Sequence, residues 1–252
     1  MMNNDPTVII EQPSLIPEKL RVISGSGLKL LALVCMLIDH TASVLLRKSG
    51  IVLFRIGRQQ VLLYTAMMAV GRIAFPIYAL LLVEGFLHTR DRRRYALQLF
   101  LFALVSELPW NLEHSGTWRY ATQNVFFTLF LGVLALSAAE KLLLSQSERL
   151  RYSGALLGLL LISAVFNADY GSRGLTFILM LYLLRGAPLF RAVIGSCFLN
   201  SGFRAGVAFL PIALYSGRRG FIHGPAAKFL FYAAYPVHML LLFWIKVRTI
   251  GY

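Results

Sequence analysis

The chain has 252 residues, of which 58% are hydrophobic and only 14% are charged, and its mean hydropathy is +0.67. Soluble proteins typically contain about 25% charged residues, so a soluble globule of this size could not bury so much apolar surface. Intrinsic disorder is excluded as well, because disordered chains are poor in apolar residues. The composition therefore predicts an integral membrane protein.

The formal net charge is +14, from 25 lysines and arginines against 11 aspartates and glutamates. In a soluble protein this excess would favour nucleic-acid binding, but in a membrane protein lysine and arginine collect in cytoplasmic loops. We therefore attribute most of the charge to membrane topology and expect no nucleic-acid partner. The remaining positive charge is available to membrane lipids or to an anionic substrate.

Residues 1–27 are polar, contain three prolines and lack an apolar core followed by a cleavage site, which predicts a cytoplasmic tail. Residues 28–252 are predicted to form one all-α domain, a polytopic membrane bundle of about nine transmembrane helices. The first span, residues 28–46, would be about 28 Å long, close to the thickness of the bilayer core. Further spans are predicted at residues 73–88, 95–110, 124–143, 152–168, 173–184, 189–203, 205–216 and 228–247.

The positions of lysine and arginine predict an orientation with the amino terminus in the cytoplasm. The basic loops that fall on the cytoplasmic side lie at residues 90–94, 141–151, 185–191 and 218–228. Residues 47–58 disobey the rule, because they place four positive charges on the outer side. This segment is expected to be amphipathic or re-entrant. Its charges indicate either a wrong span boundary or a function.

Three ionisable side chains lie inside the first span: Lys29, Asp39 and His40. Each costs at least ~2.5–3.5 kcal/mol on insertion scales, so each needs a reason. Lys29 and His40 are eleven residues apart, which places them on one helix face with an axial separation of about 16.5 Å. Asp39 points about 100° away from His40, so these neighbours cannot hydrogen-bond to each other on a regular helix.

These three residues allow a structural and a functional interpretation. Lys29 is typical of a lysine that extends to the membrane interface, and Asp39 and His40 are typical of hydrogen bonds between helices. In the functional interpretation, a neutral imidazole in a low-dielectric pocket acts as the general base for an amine or a hydroxyl.

More polar residues are predicted close to the depth of His40, at the outer ends of other spans. Each residue alone is typical of a helix end or a loop, but together they indicate an outward-facing polar cavity. They are Arg72, Glu107, Gln123, Asn124, Asp169 and Tyr170.

Two ionisable residues stand apart from this set. Glu84 lies on the cytoplasmic half of the second span, where it would pair with an arginine or line a path for an anionic cofactor. His238 lies near the middle of the last span, as a functional residue or a packed structural one. The sequence contains no phosphate-binding glycine loop and no metal-ligand spacing, so no metal is predicted.

Several motifs resemble the TraX family of conjugative-transfer membrane proteins, from residue 28 to about residue 242. They are LKLLALVCMLIDH and GRIAFPIYALLLVEGF in the first two spans, then SELPW, QNVFFTL, ADYG and YPVHMLLL. A member of this family acetylates the amino terminus of F-pilin. The resemblance therefore implies a protein of the bacterial inner membrane, with acetyl-CoA as donor and a pilin amine as acceptor.

The first span is also similar to the membrane acyltransferase-3 group, whose signature is a lysine or arginine, ten residues and a histidine. Lys29 and His40 match this signature. In that group the acyl donor is cytoplasmic and the acceptor is usually a carbohydrate on the far side. This similarity implies that Lys29 holds a CoA phosphate. We also predict that Glu84, Arg90 and His238 contact the cofactor.

The implied catalytic set lies on the outer side. His40 would be the general base, and Asp39 would orient the acceptor ammonium or a neighbouring side chain. Arg72 or Asn124 would stabilise the oxyanion. The remaining members of the set, which would line the cavity, are Glu107 and Asp169.

Other functions compete with pilin acetylation. A second enzymatic hypothesis is another pilin-maturation reaction, such as head-to-tail cyclisation, or O-acylation of a glycan. A third is a non-enzymatic transporter or pilus assembly factor, in which the buried charges relay protons.

Overall fold

The computed structural model describes residues 16–57, 59–198, 206–222 and 224–249. Within these ranges the chain is a bundle of helices with one short β-hairpin, which confirms the predicted all-α class. The helices are α1 (Gly25–Thr41), α2 (Leu63–Gly71), α3 (Ala74–His88), α4 (Arg92–Ser115), α5 (Val125–Leu144), α6 (Arg149–Val165), α7 (Gly171–Leu183), α8 (Pro188–Phe198), α9 (Phe209–Ala213) and α10 (Pro225–Thr249). A π-helix, Ala42–Leu46, continues α1. Residues 1–15 of the predicted tail lie outside the described residues.

Four of the described helical stretches are long and apolar enough to cross a membrane. They are Gly25–Leu46, Leu63–His88, Val125–Leu144 and Pro225–Thr249. The other apolar helices, α7 and α8, have 13 and 11 residues, so they are shorter than the about 20 residues that a full span needs. The prediction of a helical membrane bundle is confirmed, whereas the number of nine spans is not.

The span predicted at residues 205–216 is wrong for the part that the structure describes. Its place is taken by α9, which has five residues and is only about 7.5 Å long. The sequence is apolar there because Phe209 and Ile212 are buried against neighbouring helices. Residues 199–205, which include the predicted end of the preceding span, lie outside the described residues.

The second span begins earlier than predicted. It runs over Leu63–His88 and combines α2 and α3, so Arg72 lies inside the span and does not open it. The break between the two helices has a local cause, because Pro76 has no N–H for the carbonyl of Arg72 four residues before it. Because Arg72 is charged and lies at this helix break, the sequence placed the boundary of the membrane span there.

The basic segment after α1 is a β-hairpin, and its predicted amphipathic or re-entrant form is wrong. Strands β1 (Val52–Ile56) and β2 (Gln59–Leu62) pair antiparallel, with Arg55 opposite Gln60. Gly57 adopts a φ of 60° in the turn, a conformation that glycine reaches without a steric penalty. Arg47, Lys48 and Arg55 are exposed, and Arg58 lies outside the described residues.

The bundle has two ends, which we name by their residues. At the basic end the loop between α9 and α10 lies on the start of α1, where Gly25 N donates to Arg218 O at 2.7 Å and Ser26 N donates to Arg219 O at 3.0 Å. At the opposite end, the histidine end, α1 finishes beside His40 and the start of α5 meets the loop between α6 and α7. Helix α1 therefore connects the two ends directly.

Asn124 joins α4 and α5 at the histidine end. Its side-chain oxygen accepts a hydrogen bond from Phe126 N at 3.1 Å and so caps α5. Its amide nitrogen donates to Ala103 O at 2.8 Å and to Glu107 Oε2 at 2.7 Å, both on α4. Since Asn124 is fully buried, each of these bonds satisfies a group that has no access to water.

Replacing Asn124 by alanine should lower the free energy of unfolding by about 2–4 kcal/mol, because the change removes a helix cap and leaves the Glu107 carboxylate without its amide partner. Unfolding of the purified protein in detergent, followed by tryptophan fluorescence, measures the difference. The control is Ser147→Ala in the exposed turn between α5 and α6, which should change stability by less than about 0.5 kcal/mol. Equal stability of the two variants would contradict the structural role of Asn124.

Candidate functional site

Two imidazoles form the centre of the histidine end. His40 on α1 and His238 on α10 approach so that His40 Nδ1 lies 2.6 Å from His238 Nε2. Their rings are stacked, with centroids 4.8 Å apart. Tyr235, one turn before His238, packs its ring against both imidazoles at 5.9 and 5.6 Å. The structure thus places His238 with the predicted base and away from Lys29, although the sequence grouped it with the cofactor contacts.

Asp39 faces a different element from His40, as the helix geometry predicted. It packs directly over Gly71 at the end of α2, where a Cβ atom would overlap its carboxylate. The charge of Arg72, the next residue, attracts Asp39. A carboxylate oxygen of Asp39 is buried and accepts no hydrogen bond from the described residues. The carboxylate of Asp39 therefore lies near the positive charge of Arg72 and has one oxygen that is still able to accept a hydrogen bond.

Arg72 connects Asp39 to the loop between α6 and α7. A side-chain hydrogen bond links Arg72 to Tyr170, whose ring stacks on Phe75 at a centroid distance of 3.7 Å. The carboxylate of Asp169 also attracts Arg72 and accepts a hydrogen bond from Tyr170 N at 3.1 Å. Arg72 therefore lies between two carboxylates and a phenol.

Burial raises the pKa of Asp169 to about 6, although the positive charge of Arg72 and the hydrogen bond from Tyr170 N oppose the rise. The carboxyl group therefore changes its protonation state close to neutral pH. Such a shift is typical of functional sites, since a group that titrates near the working pH exchanges protons readily.

Backbone contacts fix the position of Asp169 at the start of α5. Gln123 N donates to Asn167 O at 3.1 Å, and Asp169 N donates to Gln123 O at 2.7 Å. The hydroxyl of Thr128 on α5 donates to the backbone oxygen of Asp169. The two segments that were predicted separately to lie at the outer side therefore form one unit.

Glu107 and Asn124 belong to the same end but are bound to each other. Glu107 lies within α4, which continues to Ser115, and not at the end of the helix as predicted. Both amide hydrogens of Asn124 are engaged, by Ala103 O and Glu107 Oε2. The catalytic roles of Glu107 and Asn124 stay predictions. Because the side-chain amide of Asn124 is already occupied, Arg72 is the better candidate for stabilising an oxyanion.

Three residues near the histidines were not predicted. Glu113 is 4% exposed and acts electrostatically on both Asp39 and His238. His114 acts on His40 and Asp169. Both lie on the last turn of α4, beyond the residue at which the sequence ended that span. The third, Tyr235, had a usable signal, because it lies three residues before His238 and so shares its helix face.

The predicted cofactor residues divide between two places. Lys29 is half-buried near the basic end, where the charges of Arg219 and Lys228 act on it. Lys228 lies 2.8 Å from Gln98 Oε1 and over the ring of Tyr95.

Two further predicted contacts also lie towards the basic end. Glu84 accepts a hydrogen bond from the hydroxyl of Tyr215 at 3.4 Å and attracts Arg191, and its predicted place beside an anionic cofactor stays a prediction. Arg90 is exposed in the turn before α4. These residues and Lys29 are separated from the histidine pair by most of the length of α1.

Four helices that are long and apolar enough to cross a membrane fit a membrane protein, and a histidine pair, an aspartate and an arginine form an ionisable site among the helices. The chain belongs to the TraX family, since the family model described as TraX protein matches residues 24–246. It is 28% identical to the probable fimbrial assembly protein FimC, serogroup H1, of Dichelobacter nodosus, over 87% of this chain and 94% of that protein. No solved structure matches the chain. The family match confirms the resemblance that the motifs indicated.

Replacing Gly71 by alanine should displace the Asp39 carboxylate, because the new Cβ would occupy its position. We expect a loss of about 1–3 kcal/mol in the free energy of unfolding, as for overpacking in a core. The matched control is Gly158→Ala in α6, where a Cβ would meet nothing within 4 Å and should be neutral or stabilising by up to about 1 kcal/mol. Thermal unfolding in detergent compares the two variants, and equal stability would contradict the close contact.

Proposed function

We propose that this protein is a membrane acetyltransferase that moves an acetyl group from acetyl-CoA to the terminal amine of a pilin subunit. The observation that carries the proposal is the placement of Lys29 and His40 on one regular helix that joins the basic end to the histidine end. Membership of the TraX family supports an acyl-transfer function in pilus biogenesis. The similarity to a fimbrial assembly protein supports a pilin as the acceptor.

The donor would enter from the basic end, which the positive-inside rule assigns to the cytoplasm. Lys29 would hold a phosphate of CoA through charge-assisted hydrogen bonds. Its axial separation from His40 is about 16.5 Å at the rise of an α-helix. The pantetheine arm of CoA is comparable, on the order of 15–20 Å when extended. The thioester would therefore reach the histidine pair while the nucleotide stays at the basic end.

The acceptor would reach the site from the opposite side of the membrane. The acceptor ammonium first releases one proton to the aqueous phase and becomes a neutral amine. His40 then removes a second proton as the amine nitrogen attacks the carbonyl carbon of the thioester. The carbon–sulfur bond then breaks, and the proton on His40 passes to the departing CoA thiolate. The products are an acetylated amine, free CoA and the proton that the ammonium released before the attack, so atoms and charge balance without any further reactant.

Three charged residues of the histidine end have roles in this step. Asp39 has an unused acceptor oxygen that would bind and orient the acceptor ammonium before it loses its proton. Arg72 would stabilise the oxyanion of the tetrahedral intermediate, since a fixed cation in a site that excludes water acts strongly on developing charge. Asp169, which also attracts Arg72, would add negative charge for the incoming ammonium.

The variant His40→Ala should lose acetyl transfer by a factor on the order of 10²–10⁴, which is the usual contribution of general base catalysis. Transfer of radiolabel from acetyl-CoA to purified pilin in lipid nanodiscs measures the loss. The matched control is His88→Ala, which removes a histidine that is exposed at the basic end and should keep full activity. Wild-type activity in His40→Ala would refute the role of this residue.

The intact mass of pilin produced with and without the protein tests the reaction itself. Acetylation adds one acetyl group, whereas cyclisation removes a water molecule. Unchanged pilin, together with no label transfer to any acceptor, would favour the non-enzymatic assembly factor.

The variant Lys29→Ala should raise the KM for acetyl-CoA on the order of tenfold, with kcat little changed, because it removes one charge-assisted contact to the donor. The same variant should leave the KM for acetyl-pantetheine unchanged, since that donor has no phosphate. Lys48→Ala, an exposed lysine beyond the histidine end, is the matched control. Parallel loss of activity with both donors would show that Lys29 does not recognise phosphate.

A further inference from the structure

His238 uses both of its ring nitrogens. Its Nδ1 lies 2.8 Å from the carbonyl oxygen of Ala234, one turn earlier on α10. Its Nε2 lies 2.6 Å from His40 Nδ1. A carbonyl oxygen can only accept a hydrogen bond, so Nδ1 of His238 carries the hydrogen.

This assignment determines the tautomer of the second histidine. A neutral imidazole has one N–H, so Nε2 of His238 has a lone pair and accepts the hydrogen bond from His40. His40 therefore carries its hydrogen on Nδ1, and its own Nε2 has the lone pair.

The pair is assigned as neutral because it lies within apolar helices. His238 is only 7% exposed, and an imidazolium at such a position is costly. The charged and titratable groups that act on the two rings are Arg72 beside α3 and Glu113 and His114 on α4.

We infer that His238 is a positioning residue, which holds His40 in the Nδ1–H tautomer so that Nε2 of His40 is the base. The kinetic part of this inference rests on the proposed acetyl transfer, whereas the tautomer does not. An unrestrained histidine exchanges between two tautomers, and the hydrogen bond of one nitrogen selects which form is present. The bond that His40 donates to His238 thereby makes the basic nitrogen the one that points away from α10.

The same bond supports the charge that forms during the reaction. When Nε2 of His40 takes the proton of the acceptor, His40 becomes an imidazolium whose Nδ1–H still donates to His238. A hydrogen bond from a charged donor is about twice as strong as a neutral one. The ring of Tyr235 contacts both imidazoles edge-on and so helps to hold the two imidazole rings in their stacked arrangement.

Nitrogen-15 NMR of the histidine-labelled protein in nanodiscs tests the tautomer without any substrate. The signals are assigned with single histidine variants. We expect His40 to be protonated at Nδ1 in the wild-type protein and in His238→Gln, whose side-chain oxygen accepts the same bond. In His238→Leu, which has no acceptor, the Nε2–H form of His40 should become populated. A His40 protonated at Nε2 in the wild type, or a cationic His238, would overturn the inference.

Kinetics of the same variants separate positioning from packing. We expect His238→Leu to lower kcat on the order of 10²-fold with the KM for acetyl-CoA unchanged, and His238→Gln to recover most of this loss. A role in packing alone predicts that leucine is tolerated at least as well as glutamine, and that result would overturn the inference. If the tautomer is observed but no variant, nor the wild type, transfers acetyl, then the proposed reaction is wrong and the assignment of His238 stands.

Discussion

The structure depends on the requirement that polar groups inside an apolar bundle find partners within the protein. The bond between His40 and His238 meets this requirement for two imidazoles that are 198 residues apart in the chain. The bonds of Asn124 to Ala103 O and Glu107 meet it for α4 and α5. Because each of these bonds joins two helices, the polar side chains also determine how the helices pack. The groups that make the site chemically useful are therefore the groups that hold the histidine end together.

The distribution of charge at the histidine end bears on the choice of acceptor. Arg72 lies between the carboxylates of Asp39 and Asp169, so these three groups sum to one negative charge when both acids are ionised. A protonated amine entering this site would neutralise the charge of these three groups, whereas a sugar hydroxyl would leave them negative. The local balance thus supports an amine acceptor, and the excess positive charge of the chain is concentrated elsewhere.

Features that depend on a single helix could be predicted from the sequence. The eleven-residue spacing placed Lys29 and His40 on one face of α1, and the apolar run after Asn124 indicated the start of α5. Contacts between distant helices could not be predicted, because periodicity describes which face a residue is on but not what packs against that face. The contact between His238 and His40 was therefore not predicted, and the cofactor contact of His238 stays a prediction. The hairpin was missed for a related reason, since four basic residues concealed a short strand pattern around Gly57.

The break between α2 and α3 explains how a charge is accommodated in the middle of a span. Pro76 cannot donate to the carbonyl of Arg72, and Ile73 N bonds to Val70 O at 3.1 Å in a tighter turn. The turn that carries Arg72 therefore has fewer backbone bonds than a regular helix, and its side-chain contacts compensate. The absence of a Cβ at Gly71 lets Asp39 approach this turn, and Tyr170 binds Arg72 from the other side. A proline, a glycine and an arginine within six residues thus create a polar position that no uninterrupted apolar helix provides.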